Sequence, residues 1–191
     1  MKMRLMTLLM ALLMAGVAFA APEGKEGQKK AASQFGSLKD LCEKLPPKEG
    51  KWLSGPPGWN IHFRDAYEQS KREKKPILIL QTGSDWCGYC IKLHKAVFDK
   101  VDFLKFSRKN LVLLYLDSPS EKKQPKAQEK HNSMVSKHFA FPGGYPMVRV
   151  VSSDGSLLGE LSGFNGDGKA YLKRLQEMVR SDKAKSPAPQ K

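Results

Sequence analysis

Apolar residues in this chain fall into two kinds of pattern that alternate. Pro76-Ile77-Leu78-Ile79-Leu80 and Leu111-Val112-Leu113-Leu114-Tyr115-Leu116 are unbroken apolar runs of strand length, and both read as buried strands. Around them, apolar positions recur at helical spacing. Phe35, Leu38, Leu41, Cys42 and Leu45 share one face of a helix that starts near Ala31 and is stopped by Pro46-Pro47. Ala66, Tyr67 and Ser70 mark the inner face of a helix from about Phe63 to Lys74. Ile91 to Phe98, Val101 to Lys109 and Ala127 to Phe139 read as three more helices. The last runs from about Asp167 to Arg180, with Tyr171, Leu172, Leu175, Met178 and Val179 inward. Met147–Val151 and Leu157–Leu161 flank a turn containing Asp154-Gly155, which predicts a hairpin. Strands that alternate with helices and end in a hairpin imply an α/β sandwich: a mixed sheet with an antiparallel edge and helices on both faces.

The ends of the chain follow other rules. Lys2 and Arg4 precede an apolar stretch from Leu5 to Val17, and Ala18-Phe19-Ala20 supplies a small-x-small site. Residues 1–20 are expected to be a secretory signal peptide cut after Ala20. The stretch is short for a membrane-spanning helix. Residues 21–58 are expected to hold a linker, the first helix and a Gly/Pro loop carrying Trp52. Residues 59–180 form the main domain, and the polar tail 181–191 is expected to be disordered.

The formal net charge is +14. Losing Lys2 and Arg4 with the leader lowers it to +12. Most of the excess is lysine spread along the chain, with one cluster at Lys122, Lys123, Lys126 and Lys130. A solvated basic surface accounts for it, as does attraction to anionic polymers, lipid headgroups or acidic client proteins. Export and the lack of an arginine-rich segment interleaved with aromatics argue against nucleic acid.

The chemistry sits at Trp86-Cys87-Gly88-Tyr89-Cys90, where the first buried strand gives way to a helix. Unpaired N–H groups and the helix dipole at a helix N-terminus favour an anion, and the thiolate is the reactive form of cysteine. One helical turn brings the second sulfur within ring-closing reach. Outside the cytosol a disulfide persists. Of three cysteines, Cys42 is left over. It reads as a buried inert thiol, with an intermolecular disulfide or a redox partner for the central pair as alternatives. Metal binding lacks ligands, because only one cysteine pair exists and His94 has no local partner. Haem attachment would need histidine after Cys90, where Ile91 stands. His62, His131 and His138 are expected at the surface. No cofactor and no metal are expected.

Trp-Cys-x-x-Cys after the strand, with Tyr145-Pro146 before the hairpin, resembles the thioredoxin superfamily over roughly Trp59 to Arg180. The segment Lys75 to Cys90, with Lys92-Leu93 and Val97-Phe98, is similar to exported bacterial thioredoxin-like proteins, which resemble the C-terminal domain of a membrane disulfide reductase. The resemblance implies a three-layer sandwich and thiol–disulfide exchange. Cys87 would be the exposed nucleophile and Cys90 the buried resolving thiol. Trp86, Gly88, Tyr89, Tyr145 and Pro146 would contact substrate. Pro146 matches the family's cis-proline, with Pro142 as the competing candidate. Where cytosolic members carry a buried acid, this chain has Gln81. Asp85 either tunes the thiolate or caps the helix.

Gly88-Tyr89 resembles the pair in periplasmic disulfide isomerases, which points to reduction or isomerisation of protein disulfides. The implied partners are proteins with disulfides or thiols and a membrane or periplasmic protein that recycles the pair. Self-association through the Phe35–Leu45 face is a further expectation. The alternative function is a chaperone-like protein that holds client peptides beside Pro146, with redox activity secondary.

Overall fold

A computed structural model of the chain describes residues 35–185. The leader and most of the linker, and the tail beyond 185, lie outside the described residues. Strand β1 (Ile77–Thr82) and strand β2 (Val112–Asp117) pair in parallel. Strand β3 (Met147–Val151) runs antiparallel to β1, and strand β4 (Leu157–Ser162) antiparallel to β3. The sheet order is β2-β1-β3-β4. The backbone of Asn60 adds a one-residue rung outside β2, donating to Leu113 and accepting from Tyr115.

Every residue of β1 and β2 is buried because helices cover both faces of the sheet. Alternate residues point to opposite layers. Leu78, Leu80, Leu113 and Tyr115 face one core, shared with helix α3 (Gly88–Leu93), helix α4 (Val101–Asn110) and helix α6 (Gly168–Lys185). Ile77, Ile79, Val112, Leu114 and Leu116 face the other, shared with helix α1 (Leu38–Lys44), helix α2 (Phe63–Glu73) and helix α5 (Lys126–His138). The result is the expected three-layer thioredoxin-like sandwich.

Several local expectations change. The first helix begins at Leu38 rather than Ala31. Ser37 caps it by accepting the Asp40 N–H, and Gly36 before it has φ +76°, outside any right-handed helix. Seven residues are too few for a stable free helix. Packing holds it instead: Leu38, Leu41 and Leu45 are buried, each worth roughly 1.5–3 kcal/mol. The face expected to mediate self-association is thus covered within the chain. The cysteine helix does not run evenly to Phe98; after Leu93 it widens into a π-helical turn, His94–Phe98, in which the Asp99 N–H donates to the His94 carbonyl. The last helix continues past Arg180 to Lys185, so the residues from Ser181 to Lys185 are helical rather than disordered tail.

The histidines depart furthest from expectation. His62 and His131 are interior, and the His138 Nε2 is buried although the residue keeps some surface. His131 Nε2 accepts the Phe63 N–H at 2.9 Å. His62 Nδ1 accepts the Arg64 N–H, capping α2, and its Nε2 meets the Pro46 carbonyl at 3.1 Å. Trp52 is buried against both rings. Gly/Pro-loop residues and histidines far apart in sequence thereby close the end of one core. Elsewhere in that layer Arg149 is sandwiched between the rings of Phe35 and Phe141, pairs with Glu160 at 2.8 Å and donates to the Phe139 carbonyl.

Candidate active site at the start of the cysteine helix

Strand β1 ends at Thr82, and a short turn carries the chain to α3. Cys87 is the residue before the helix, with extended backbone (φ −82°, ψ 100°). Its Sγ accepts the Cys90 N–H at 3.2 Å, and its own N–H donates to the Gly83 carbonyl. Cys87 and Cys90 form a disulfide with Cα atoms 5.2 Å apart. Cys90 is fully buried; Cys87 keeps 6% of its surface. The first cysteine was expected to be exposed. In the oxidised state it is the more accessible of the pair, but only by a narrow margin.

The turn is braced from β2. Asp117, at the end of that strand, accepts the Ser84 N–H at 2.9 Å and the Ser84 hydroxyl at 2.6 Å. Asp85 does not cap α3. Its carboxylate accepts the N–H groups of Ser120, Glu121 and Lys122, which holds it below the usual carboxylate range. The helix cap is Cys87 itself.

Trp86 lies across Gly83. A Cβ at position 83 would come within 2.5 Å of the indole, so only glycine permits this stacking. The indole N–H donates to the Ser118 carbonyl, and its ring meets Tyr145 edge-on at 5.3 Å. The Tyr145–Pro146 peptide bond is cis, and no other cis bond occurs among the described residues, Pro142 included. Trp86 and Tyr89 are both exposed, at 50% and 62%. Gly88 is exposed and open: a Cβ there would touch nothing within 4 Å. Trp86 and Tyr145 thus meet in one patch beside the cysteine turn, while Gly88 and Tyr89 face solvent on the first turn of α3.

Gln81 donates to the Gly144 carbonyl and accepts the Ser136 hydroxyl, so a neutral amide joins β1, α5 and the loop before Pro146. On the other side of β1, His94 packs against Trp59, Phe98 and Tyr115 with its Nε2 buried and unbonded, and burial pulls its pKa down. Cys42 is free, buried and far along the chain from the pair; burial pushes its thiol up to about 11. Among the described residues no three His, Cys, Asp or Glu side chains stand close enough to hold a metal ion. No described helix is long and apolar enough to cross a membrane.

The parts that sequence reasoning missed are the supports. Ser84, Asp117 and the Ser118 carbonyl carry no local signal, because their partners lie more than thirty residues away in the chain. Gly83 had a faint one, standing three residues before a tryptophan in a tight turn.

Comparison with known proteins agrees with this geometry. Residues 58–153 match the family described as Thioredoxin-like. The disulfide bond reductase DsbH of Chlamydia pneumoniae is 28% identical over 118 residues, covering 62% of this chain and 70% of that protein. The thioredoxin-related protein DsbJ of the same organism is 26% identical over 125 residues; the match covers 65% of this chain but 36% of DsbJ. A solved structure of DsbH oxidoreductase superposes with a TM-score of 0.57 at 25% identity, over 70% of this chain and 95% of that one. With a cysteine pair at the strand-to-helix junction and half its length in the match, the chain belongs to the thioredoxin-like family, as a thiol–disulfide oxidoreductase.

Proposed function

We propose that the protein reduces or isomerises protein disulfides in the bacterial cell envelope, with Cys87 as nucleophile and Cys90 as resolving thiol. The observation that carries this reading is the Cys87–Cys90 disulfide at the start of α3, where the Cys87 sulfur accepts a backbone N–H. After reduction, the same N–H and the helix terminus favour the Cys87 thiolate. That thiolate attacks one sulfur of a substrate disulfide, forming a mixed disulfide and expelling the other sulfur as thiolate. Cys90, as thiolate, then attacks the Cys87 sulfur. This restores the Cys87–Cys90 bond and releases the second substrate thiol, so two electrons pass from the pair to the substrate. In isomerisation a different substrate thiol displaces Cys87 and the pair stays reduced.

Trp86, Gly88, Tyr89, Tyr145 and Pro146 form the proposed contact surface for the substrate chain. A disulfide reductase among the relatives supports the reductive direction, and a separate reductant must return electrons to the pair. The leader-like composition of residues 1–20 supports export.

The test has two parts. Insulin reduction and refolding of scrambled ribonuclease should vanish in Cys87→Ser. At neutral pH, iodoacetamide should modify Cys87 of the reduced protein faster than it modifies an unstructured cysteine peptide. Equal rates would remove the basis of the proposal, and an equilibrium titration against glutathione would place the direction of electron flow.

A further inference from the structure

On the α5 side of the sheet runs an open groove of about 630 Å³. Tyr145 lines it and meets edge-on the ring of Trp86, the residue before Cys87, so the groove adjoins the Trp86–Tyr145 patch. Lys122 and Lys123 from the loop after β2, and Lys137 from α5, stand on its rim. All three are exposed, and none has a carboxylate within ion-pair distance among the described residues. Glu129 is the sole carboxylate among the lining residues. Gln81 and Ser136, bonded to each other, contribute neutral polar groups to the lining.

The loop bearing two of these lysines is fixed to the redox turn. Asp85, two residues before Cys87, accepts the N–H groups of Ser120, Glu121 and Lys122, and Trp86 donates to Ser118. Gln124 donates to the Asp117 carbonyl at the foot of the loop. The Asp85 charge is therefore directed at backbone amides, and the positive rim is held in register with Cys87.

We infer that this groove binds an acidic stretch of the protein substrate next to the cysteine under attack, so that the enzyme selects disulfides flanked by Asp or Glu. The inference rests on the redox reading above, but its binding step needs no chemistry. Three lysine ammonium groups without an ion-pair partner among the described residues, set around a groove of mixed lining, complement carboxylates, and such complementarity gives selectivity and faster encounter.

The experiment uses the oxidised full chain and two thiol-free octapeptides, one with four glutamates and one with glutamines in their place, titrated by calorimetry. The acidic peptide should bind and the neutral one should bind about tenfold more weakly or less, the gap closing as salt rises. Lys122→Glu/Lys123→Glu/Lys137→Glu should abolish the preference. Lys105→Glu/Lys109→Glu/Lys173→Glu, the same charge change on α4 and α6 in the opposite layer, should leave it. Equal binding of the two peptides, or equal loss in both triple variants, overturns the inference. A parallel assay measures reduction of the same two sequences carrying a disulfide. Equal rates with wild type would sink the groove and leave the redox reading standing. No reduction of either, with selective binding intact, would sink the redox reading and leave the groove.

Discussion

The rings of His62 and His131 lie 4.6 Å apart, at the buried junction of α2, α5 and the segment that carries Trp52. His131 must be neutral here: its Nε2 accepts the Phe63 N–H, and its Nδ1 meets the Asn132 side-chain oxygen at 2.9 Å. Burial is the main cause that pulls its pKa down to about 4, with His62 adding to the shift. The unfolded chain, with an ordinary histidine near 6.5, binds the proton first. Stability from this group is therefore complete above pH 6.5 and drains away as pH falls towards 4, by about 3 kcal/mol. His94 and His138, also lowered by burial, act with the same sign. Urea unfolding at pH 7, 5.5 and 4.5 should show the decline, and His131→Gln should flatten it. A stability that is level across that range in the wild type would contradict the assignment.

The Asp117–Ser84 brace should matter for both stability and chemistry. Asp117→Ala leaves the Ser84 N–H and hydroxyl without their acceptor, at a cost of about 1–3 kcal/mol. Asp117→Asn, which keeps one acceptor oxygen, should lose less. The readouts are the denaturation midpoint and the alkylation rate of reduced Cys87. If both variants alkylate like the wild type, the brace does not position the redox turn.

Gly83→Ala tests the seat of Trp86. The new methyl group would overlap the indole, which must swing out because it is the movable partner. The Trp86–Ser118 hydrogen bond and the Tyr145 contact go with it, for a stability loss of about 1 kcal/mol. Tryptophan emission should shift to the red. Insulin reduction should slow several-fold with little change in the potential of the pair. An unchanged emission spectrum would show that the indole does not rest on residue 83.

Cys42 should be inert. Its burial and a thiol pushed up to about 11 leave almost no thiolate at pH 8. With Cys87 and Cys90 oxidised, the native protein should take up no iodoacetamide within the time that labels a free peptide. Unfolding in urea should expose one reactive thiol. Rapid native labelling at position 42 would return it to the list of redox groups.

Much of the fold was legible along the chain. Apolar runs of five and six residues and helical stripes report local burial, and burial by two helical layers produces the unbroken burial of β1 and β2. The cysteine pair was legible for the same reason: its partners are neighbours in sequence, one turn apart. Tertiary structure decided everything that depends on polar groups meeting across the chain. His131 reaches Phe63 over 68 positions, and Ser84 reaches Asp117 over 33. Asp85, expected at the helix cap, serves a loop 35 residues on. Hydrophobic periodicity states which face is inside but not which donor will meet which acceptor. A histidine with no nearby partner in sequence therefore read as a surface residue until the fold supplied the N–H it accepts.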